Sequence, residues 1–227
     1  MAGGIFDPEF DHLPARVPIF PLPNALLLPG GQLPLNVFEP RYLAMINHAL
    51  ATPTRLIGMV QPLDDDAPND GVMLNNPVPG LFRIGCAGRL SFFQESNDGR
   101  YMVALTGVCR FRLLGQQLTD DGFRIADIDW QDFSNDLRVD ISDFDRGPLI
   151  TVMKQYFDLK GFETDWTQIE NSDNQALLAT LSMVCPFEVA EKQALLEADT
   201  IEQRADLLVA MMEMALHEEA SGNDAKH

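Results

Sequence analysis

The sequence predicts an α+β fold, with strands filling roughly the first 135 residues and helices the remainder, rather than a βαβ alternation. Three observations lead there. Short apolar runs separated by prolines occupy residues 17–38, period-two alternation runs from Arg83 to Leu113, and beyond Asp132 the apolar spacing becomes helical.

Residues 1–15 mix charge, Gly and Pro without a period and are expected to form a flexible arm. Val17–Phe20 and Ala25–Leu28 have strand length, and Pro21, Pro23 and Asn24 suit a turn between them. Pro29-Gly30-Gly31 breaks the chain again before Leu33–Phe38. Prolines this dense lack ladder donors, so these strands are expected at edges or in bulged segments. Pro40 then suits a first helical turn, with Leu43, Ile46 and Leu50 as the apolar stripe.

Arg55–Val60 reads as a strand, and Gln61–Gly80, with Asp64-Asp65-Asp66, as an acidic surface loop. From Arg83 to Gln94 the alternation places Ile84, Cys86, Gly88, Leu90 and Phe92 on one face and Phe93 on the other. Glu95–Gly99 supplies a turn, and Tyr101–Leu113 resumes the alternation, which predicts a long antiparallel hairpin. Phe123 and Ile125 fall out of phase with Ile128 and Trp130, which predicts a β-bulge near Ala126.

Gly147-Pro148 opens a helix that Lys160-Gly161 ends, with Leu149, Val152, Met153 and Tyr156 on one face. Asp165–Ile169 has the length of one turn. Ser172–Gln175 and Thr200–Gln203 have capping-box spacing, and the helices they start carry the stripes Leu178, Leu181, Val184 and Ile201, Ala205, Leu208, Met212, Ala215. Phe187–Glu197 is a further short helix. The resulting division is a flexible arm over 1–15, a β-rich subdomain over 16–135, a helical subdomain over 136–218 and a frayed tail over 219–227.

The run PIFPLPNALLLPGGQLPLNVFEPRY, residues 18–42, resembles the opening of the Lon protease N-terminal domain. That family includes stand-alone bacterial proteins and, in divergent form, cereblon. Asp98–Tyr101 leading to Gly107–Leu113, and Glu191–Glu197 leading to Arg204-Ala205, follow in the family's order, so the resemblance covers residues 16 to 215. It implies a PUA-like antiparallel β-barrel subdomain followed by an α-helical bundle. It also implies a role in binding unfolded or partly folded polypeptides, with a protease as a further partner.

Charge and composition narrow the function classes independently. The net charge is −18, and residues 140–227 hold 18 acids against 6 bases. Such a surface repels a phosphate backbone, so nucleic acid is disfavoured as a partner. Four lysines form no polybasic patch for anionic membranes, and no run of 18 apolar residues predicts a transmembrane helix. Cys86, Cys109 and Cys185 lack metal-ligand spacing and read as buried thiols of a cytoplasmic protein.

Catalytic patterns are missing from the sequence. There is no G-x-x-x-x-G-K-[ST] to cradle a triphosphate and no G-x-S-x-G elbow among the seven serines. The resemblance reaches neither the ATPase nor the Ser–Lys protease segment of Lon, so a non-enzymatic chain without cofactor is expected. His48 is the one histidine in an expected ordered middle region and reads as a surface residue rather than a base or ligand. Asp64–Asp66 lacks calcium-loop spacing, and Asp127 with Asp129 or Asp143 with Asp145 are open as paired carboxylates or exposed charge. Met183, Met211, Met212 and Met214 read as bundle core.

The candidates for polypeptide contact are Phe38, Glu39, Arg41, Tyr42 and Phe93. For Glu39, Arg41 and Tyr42 the reading stays open between an architectural cluster and a binding rim. Phe93 is open between a subdomain-interface residue and an exposed contact. Two other functions remain. One is a small-molecule pocket between barrel and helices, for which Trp130 and Trp166 are too few to build a three-sided cage; the other is an unaided peptidase.

Overall fold

The computed structural model describes residues 8–63, 80–138 and 144–224. The chain packs as two units, Met1–Asp140 and Ile141–His227. Most of the expected acidic loop, including Asp64–Asp66, and Asp143 lie outside the described residues.

The first unit contains β1 (Arg16–Pro21), β2 (Gln32–Val37), α1 (Pro40–Leu50), β3 (Leu56–Val60), β4 (Ile84–Glu95), β5 (Tyr101–Leu118) and β6 (Arg124–Asp129), followed by a 3₁₀ segment, Gln131–Leu137. The six strands form one sheet in the order β2-β5-β4-β3-β1-β6, and β6 also pairs with β5. Following the ladders from β5 through β4, β3, β1 and β6 therefore returns to β5, with β2 added outside this circuit. β1 and β3 run parallel, so the sheet is mixed and not wholly antiparallel as expected.

Proline did not confine β1 to an edge. β1 has β6 beside Arg16–Ile19 and β3 beside Ile19–Pro21, so Pro18 falls where only one neighbour is in register. Ala25–Leu28 is a correction of another kind, because it joins no ladder although Leu26, Leu27 and Leu28 are buried. A short apolar run resembles a buried strand in sequence, yet this one plugs the core instead. Its exit is a turn in which Gly31 N–H donates to Leu28 O (2.9 Å), with Pro29 first and Gly30 second at φ 78°, as a type II turn requires.

Small residues across the sheet make room for this plug. A Cβ on Gly88 would lie 2.6 Å from Leu27, and one on Gly107 would lie 2.0 Å from the Leu28 carbonyl oxygen. Other fully buried side chains of this core include Ile19, Met45, Ile46, Ile57, Leu105 and Phe111. In α1 the buried face is Tyr42, Met45, Ile46 and Ala49, one step round from the expected stripe. Leu43 and Leu50 are half-buried.

Three register shifts interrupt the ladders, the first between Ala87 and Gly88 of β4, where Val108 is the extra residue on β5. The β4–β5 register slips between Leu90 and Phe92, and the β5–β6 register slips between Leu113 and Gly115. The bulge expected near Ala126 is not found: β6 keeps one phase, with Ala126 and Ile128 buried and Ile125 half-buried, Phe123 lies before the strand, and the extra residue is Leu114 on β5. Arg110 then anchors the 3₁₀ segment. Its Nε and Nη2 reach Asp136 at 2.8–3.2 Å, its backbone N–H donates to the same carboxylate at 2.8 Å, and both side chains are under 10% exposed.

The second unit contains α2 (Gly147–Lys160), α3 (Trp166–Asn171), α4 (Asn174–Val184), α5 (Val189–Glu197) and α6 (Ile201–Asp224). Gly161, at φ 69°, ends α2 in the left-handed form that costs glycine little. Leu149, Val152, Met153 and Tyr156 of α2 are buried, as are Ile201, Ala205, Leu208 and Met212 of α6. Asp173, not Ser172, caps α4 by accepting from Ala176 N–H, and Val184 is exposed, outside the expected stripe. The capping box of α5 is Glu188 with Glu191. Arg204 donates to the carbonyls of Leu195 and Ala198, satisfying the end of α5.

Candidate functional site

β2, β5 and β4 lie side by side, and their register sets the chemistry of two faces. Leu35, Val103 and Phe93 share a row, as do Val37, Tyr101 and Glu95; the intervening rows are Asn36, Met102, Gln94 and Pro34, Ala104, Phe92. Alternation turns the first set inward and the second outward. Burial agrees, since Val37 and Val103 are buried while Met102 is 41% and Phe92 50% exposed.

The outer face is therefore an apolar strip of Phe92, Met102, Ala104 and Pro34 flanked by Gln94 and Asn36. Phe38 extends it beyond the end of β2, at 63% exposure, with the Arg100 guanidinium 5.7 Å from its ring centre. Three large apolar side chains exposed on one sheet face leave their hydrophobic surface in water, which is the condition of a surface built to be covered.

Phe92 and Phe93 exchange the places that simple alternation gives them. Because Leu90 pairs with Leu105 and Phe92 with Ala104, Ser91 is an extra residue on β4 and everything after it is inverted. Phe93 consequently packs edge-on against Tyr101 at 4.9 Å, and is still 36% exposed, while Phe92 points outward. Sequence reasoning missed Phe92 for this reason. Met102 it also passed over, although the alternation of Tyr101 and Val103 already placed it on the opposite face.

β2 is also the edge of the sheet among the described residues. Gly107 N–H donates to Gly31 O at 2.8 Å, so alternation directs the backbone of residues 33, 35 and 37 to β5 and that of 32, 34 and 36 to the open edge. Pro34 occupies an outward position and offers only a carbonyl there, which breaks the row of donors that would otherwise template a strand.

The other candidates sit elsewhere. Glu39 occupies the cap position of α1 but makes no capping bond with its side chain, which instead receives Arg41 Nε and Nη2 at 3.0 and 2.7 Å. Tyr42 is 4% exposed, with its ring 4.1 Å from that of Phe20 and the Arg41 guanidinium 4.6 Å from its centre. Burial, the largest influence, raises the Tyr42 phenol above its ordinary pKa. Arg41 and Tyr42 line a hollow with Gly122, Phe123 and Arg124, whose walls include neither Phe38 nor Phe93.

Nucleophile and metal chemistry find little support among the described residues. All three cysteines are buried and unpaired, and burial pushes Cys185 up to about 12 and Cys86 and Cys109 upward as well, so none is a thiolate near neutrality. No group of three or more His, Cys, Asp or Glu converges among the described residues. Asp127 is engaged by Arg16 at 3.0 Å, and Asp129 and Asp145 accept backbone N–H bonds. His48 packs against Phe123 at 5.3 Å. No helix among the described residues is long and apolar enough to cross a membrane.

Comparison with known proteins gives one family throughout. The family model of the ATP-dependent protease La (LON) substrate-binding domain matches residues 16–214. The chain is 25% identical over 223 residues to a Lon protease of Flavobacterium johnsoniae, covering 94% of this chain and 26% of that one. With Lon protease 2 of Myxococcus xanthus it shares 24% over 206 residues, 89% of this chain and 24% of the relative. It thus spans about a quarter of the length of these curated relatives. Among solved structures, a Lon N-terminal domain protein from Xanthomonas campestris is 26% identical with a TM-score of 0.57, covering 86% of this chain and 97% of that one. The N-terminal domain of the Mycobacterium avium complex Lon protease shares the fold at 15% identity and a TM-score of 0.58, covering 87% and 98%. A match over nearly the whole folded length, in sequence and in structure, means that this chain belongs to the Lon substrate-binding domain family.

Proposed function

We propose that this chain binds unfolded or partly folded polypeptides on the outer face of β2, β5 and β4, and that it does so without chemistry of its own. The observation that carries the reading is the exposed trio Phe38, Phe92 and Met102, contributed by the end of β2 and by the β4–β5 hairpin beside it, at the open edge of a sheet. Unbranched methionine and aromatic rings accommodate many apolar sequences, which suits a surface that must accept varied clients. The family match supports a substrate-binding role, and it concerns the substrate-binding domain alone, not an ATPase or protease domain. The circuit of five strands, in this reading, is a small PUA-like barrel that holds the hairpin in place.

Clients bound here would be passed to a protease, in the reducing cytoplasm where three buried thiols stay unpaired. The net charge of −18 argues against nucleic acid or an anionic membrane as the alternative occupant. The test is fluorescence anisotropy with labelled, unfolded casein. Wild-type protein is expected to bind saturably, and the double variant Phe38→Ser/Phe92→Ser to bind at least about tenfold more weakly, a difference of about 1.4 kcal/mol. Equal binding by both proteins would reject the face, and casein cleavage by the purified chain would reject its non-catalytic character.

A further inference from the structure

β2 leaves a row of backbone groups to water that side-chain contacts on the apolar face do not use. The bond from Gly107 N–H to Gly31 O sets the phase of the ladder, so Leu33, Leu35 and Val37 turn their backbone groups to β5 and Gln32, Pro34 and Asn36 turn theirs to the edge. Among the described residues no strand pairs with that row. Gln32 and Asn36 each offer an N–H and a carbonyl there, and Pro34 offers a carbonyl.

The side chains along the edge are left open in the same way. Leu33 and Leu35 face the packed side of the sheet but are only half-buried, whereas Leu105 and Val103, beside them on β5, are buried. On the other side Gln32, Pro34 and Asn36 are exposed, and Phe38 continues their column at 63% exposure. A further strand about 4.8 Å from β2 would cover the two leucines with one set of alternate side chains and meet Pro34 and Phe38 with the other.

Pro34 decides which kind of strand fits. A proline ring holds φ at roughly −65°, which keeps an unpartnered edge extended. It removes one donor and leaves every acceptor in place. Two copies of β2 laid antiparallel about Pro34 would set proline against proline, with no donor from either, whereas a residue of another sequence at that position brings its own N–H.

We propose that a client enters as an added strand, an extended apolar segment of about five residues that pairs its backbone with Gln32, Pro34 and Asn36 along the open edge. The inference rests on the polypeptide-binding reading and gives the client a conformation. Segments that form buried strands when folded supply both the free backbone and the apolar side chains, while a helical segment has spent its backbone groups within itself.

The experiment is amide hydrogen exchange of the full chain, labelled with 15N and at the methionine methyls, followed by NMR with and without a saturating heptapeptide of valine, leucine and phenylalanine with lysine at each end. In the free chain Leu33 and Leu35 should exchange slowly and Gln32 and Asn36 fast. The peptide should slow Gln32 and Asn36 at least about tenfold. A peptide N-methylated at every amide keeps the side chains but no donors, and should bind at least about tenfold more weakly; methylation at alternate amides leaves one edge able to donate and should keep affinity within about threefold.

Full methylation without effect, or alternate methylation as damaging as full, would overturn the proposal. Protection of Gln32 and Asn36 that rises with protein concentration before peptide is added would also overturn it, in favour of a second copy of the chain. Movement of the Met102 methyl with unchanged exchange at Gln32 and Asn36 would sink this inference alone, whereas no response at either place would sink the polypeptide reading as well.

Discussion

The hairpin of β4 and β5 is one ladder with two different ends. Near its base, Ile84–Gly88 and Val108–Phe111 are buried residue after residue, covered on both faces, and the glycines leave room for Phe111 and the leucine plug. Near its tip, Phe92–Glu95 are exposed and Met102 is 41% exposed. The same backbone geometry serves folding at one end and leaves apolar surface uncovered at the other. The base can hold the tip rigid only because it is over-determined by packing, and the tip can hold exposed aromatics only because the fold does not depend on them.

The strongest way to break this contrast is at the base. Asp136→Ala would remove the buried carboxylate that Arg110 donates to through its side chain and backbone, and a loss of about 3–5 kcal/mol is expected in urea unfolding. A loss under about 1 kcal/mol would mean that the 3₁₀ segment is not held by this pair. Gly107→Ala is the next probe, because the new Cβ would meet the Leu28 carbonyl oxygen at 2.0 Å. About 1–3 kcal/mol should be lost to the backbone shift. Gly99 at the tip has no neighbour within 4 Å of a built Cβ but sits at φ 82°, so Gly99→Ala should cost only about 1 kcal/mol, from backbone strain alone.

The base also carries a pH signature. Cys86 and Cys109 are raised above 9.0, chiefly by burial, and a thiol whose folded pKa is raised binds its proton more tightly when folded. Their contribution is therefore complete below pH 9.0 and is lost progressively as pH rises above it, so the urea midpoint should fall there. A Cys86→Ala/Cys109→Ala double variant with an unchanged alkaline slope would contradict this. At the tip, Phe92→Ser should change stability by under about 0.5 kcal/mol, as an exposed substitution does, while weakening client binding.

Much of the fold was legible because it follows local rules. Pro40 at the helix start, Gly161 in left-handed geometry and the Glu95–Gly99 turn each announce themselves in sequence. What escaped depended on partners distant in the chain. Ala25–Leu28 reads as a strand because nothing local says that its backbone lacks a neighbour, and the parallel pairing of β1 with β3 is a property of topology rather than of composition. The positions of the three register shifts escaped for the same reason, since an extra residue exists only relative to a partner strand.

The candidate site divides along that line. Phe38 is a large apolar residue just before Glu39-Pro40, and its exposure fits a position outside both β2 and α1. Phe92 and Phe93 needed the bulge at Ser91 to be told apart. Glu39, Arg41 and Tyr42 were recognisable as a cluster, but their second arginine, Arg124, comes from 83 positions along the chain and no spacing rule links it to them.

Site-specific photocrosslinking separates the two ends of the hairpin most directly. A benzoylphenylalanine is placed at residue 92 or 102, or, as an exposed apolar control on the same strand, at Leu114, which is 62% exposed. Irradiation with unfolded casein should give adducts at 92 and 102 and little at 114. Equal yields at all three, or adducts at 114 alone, would contradict the account.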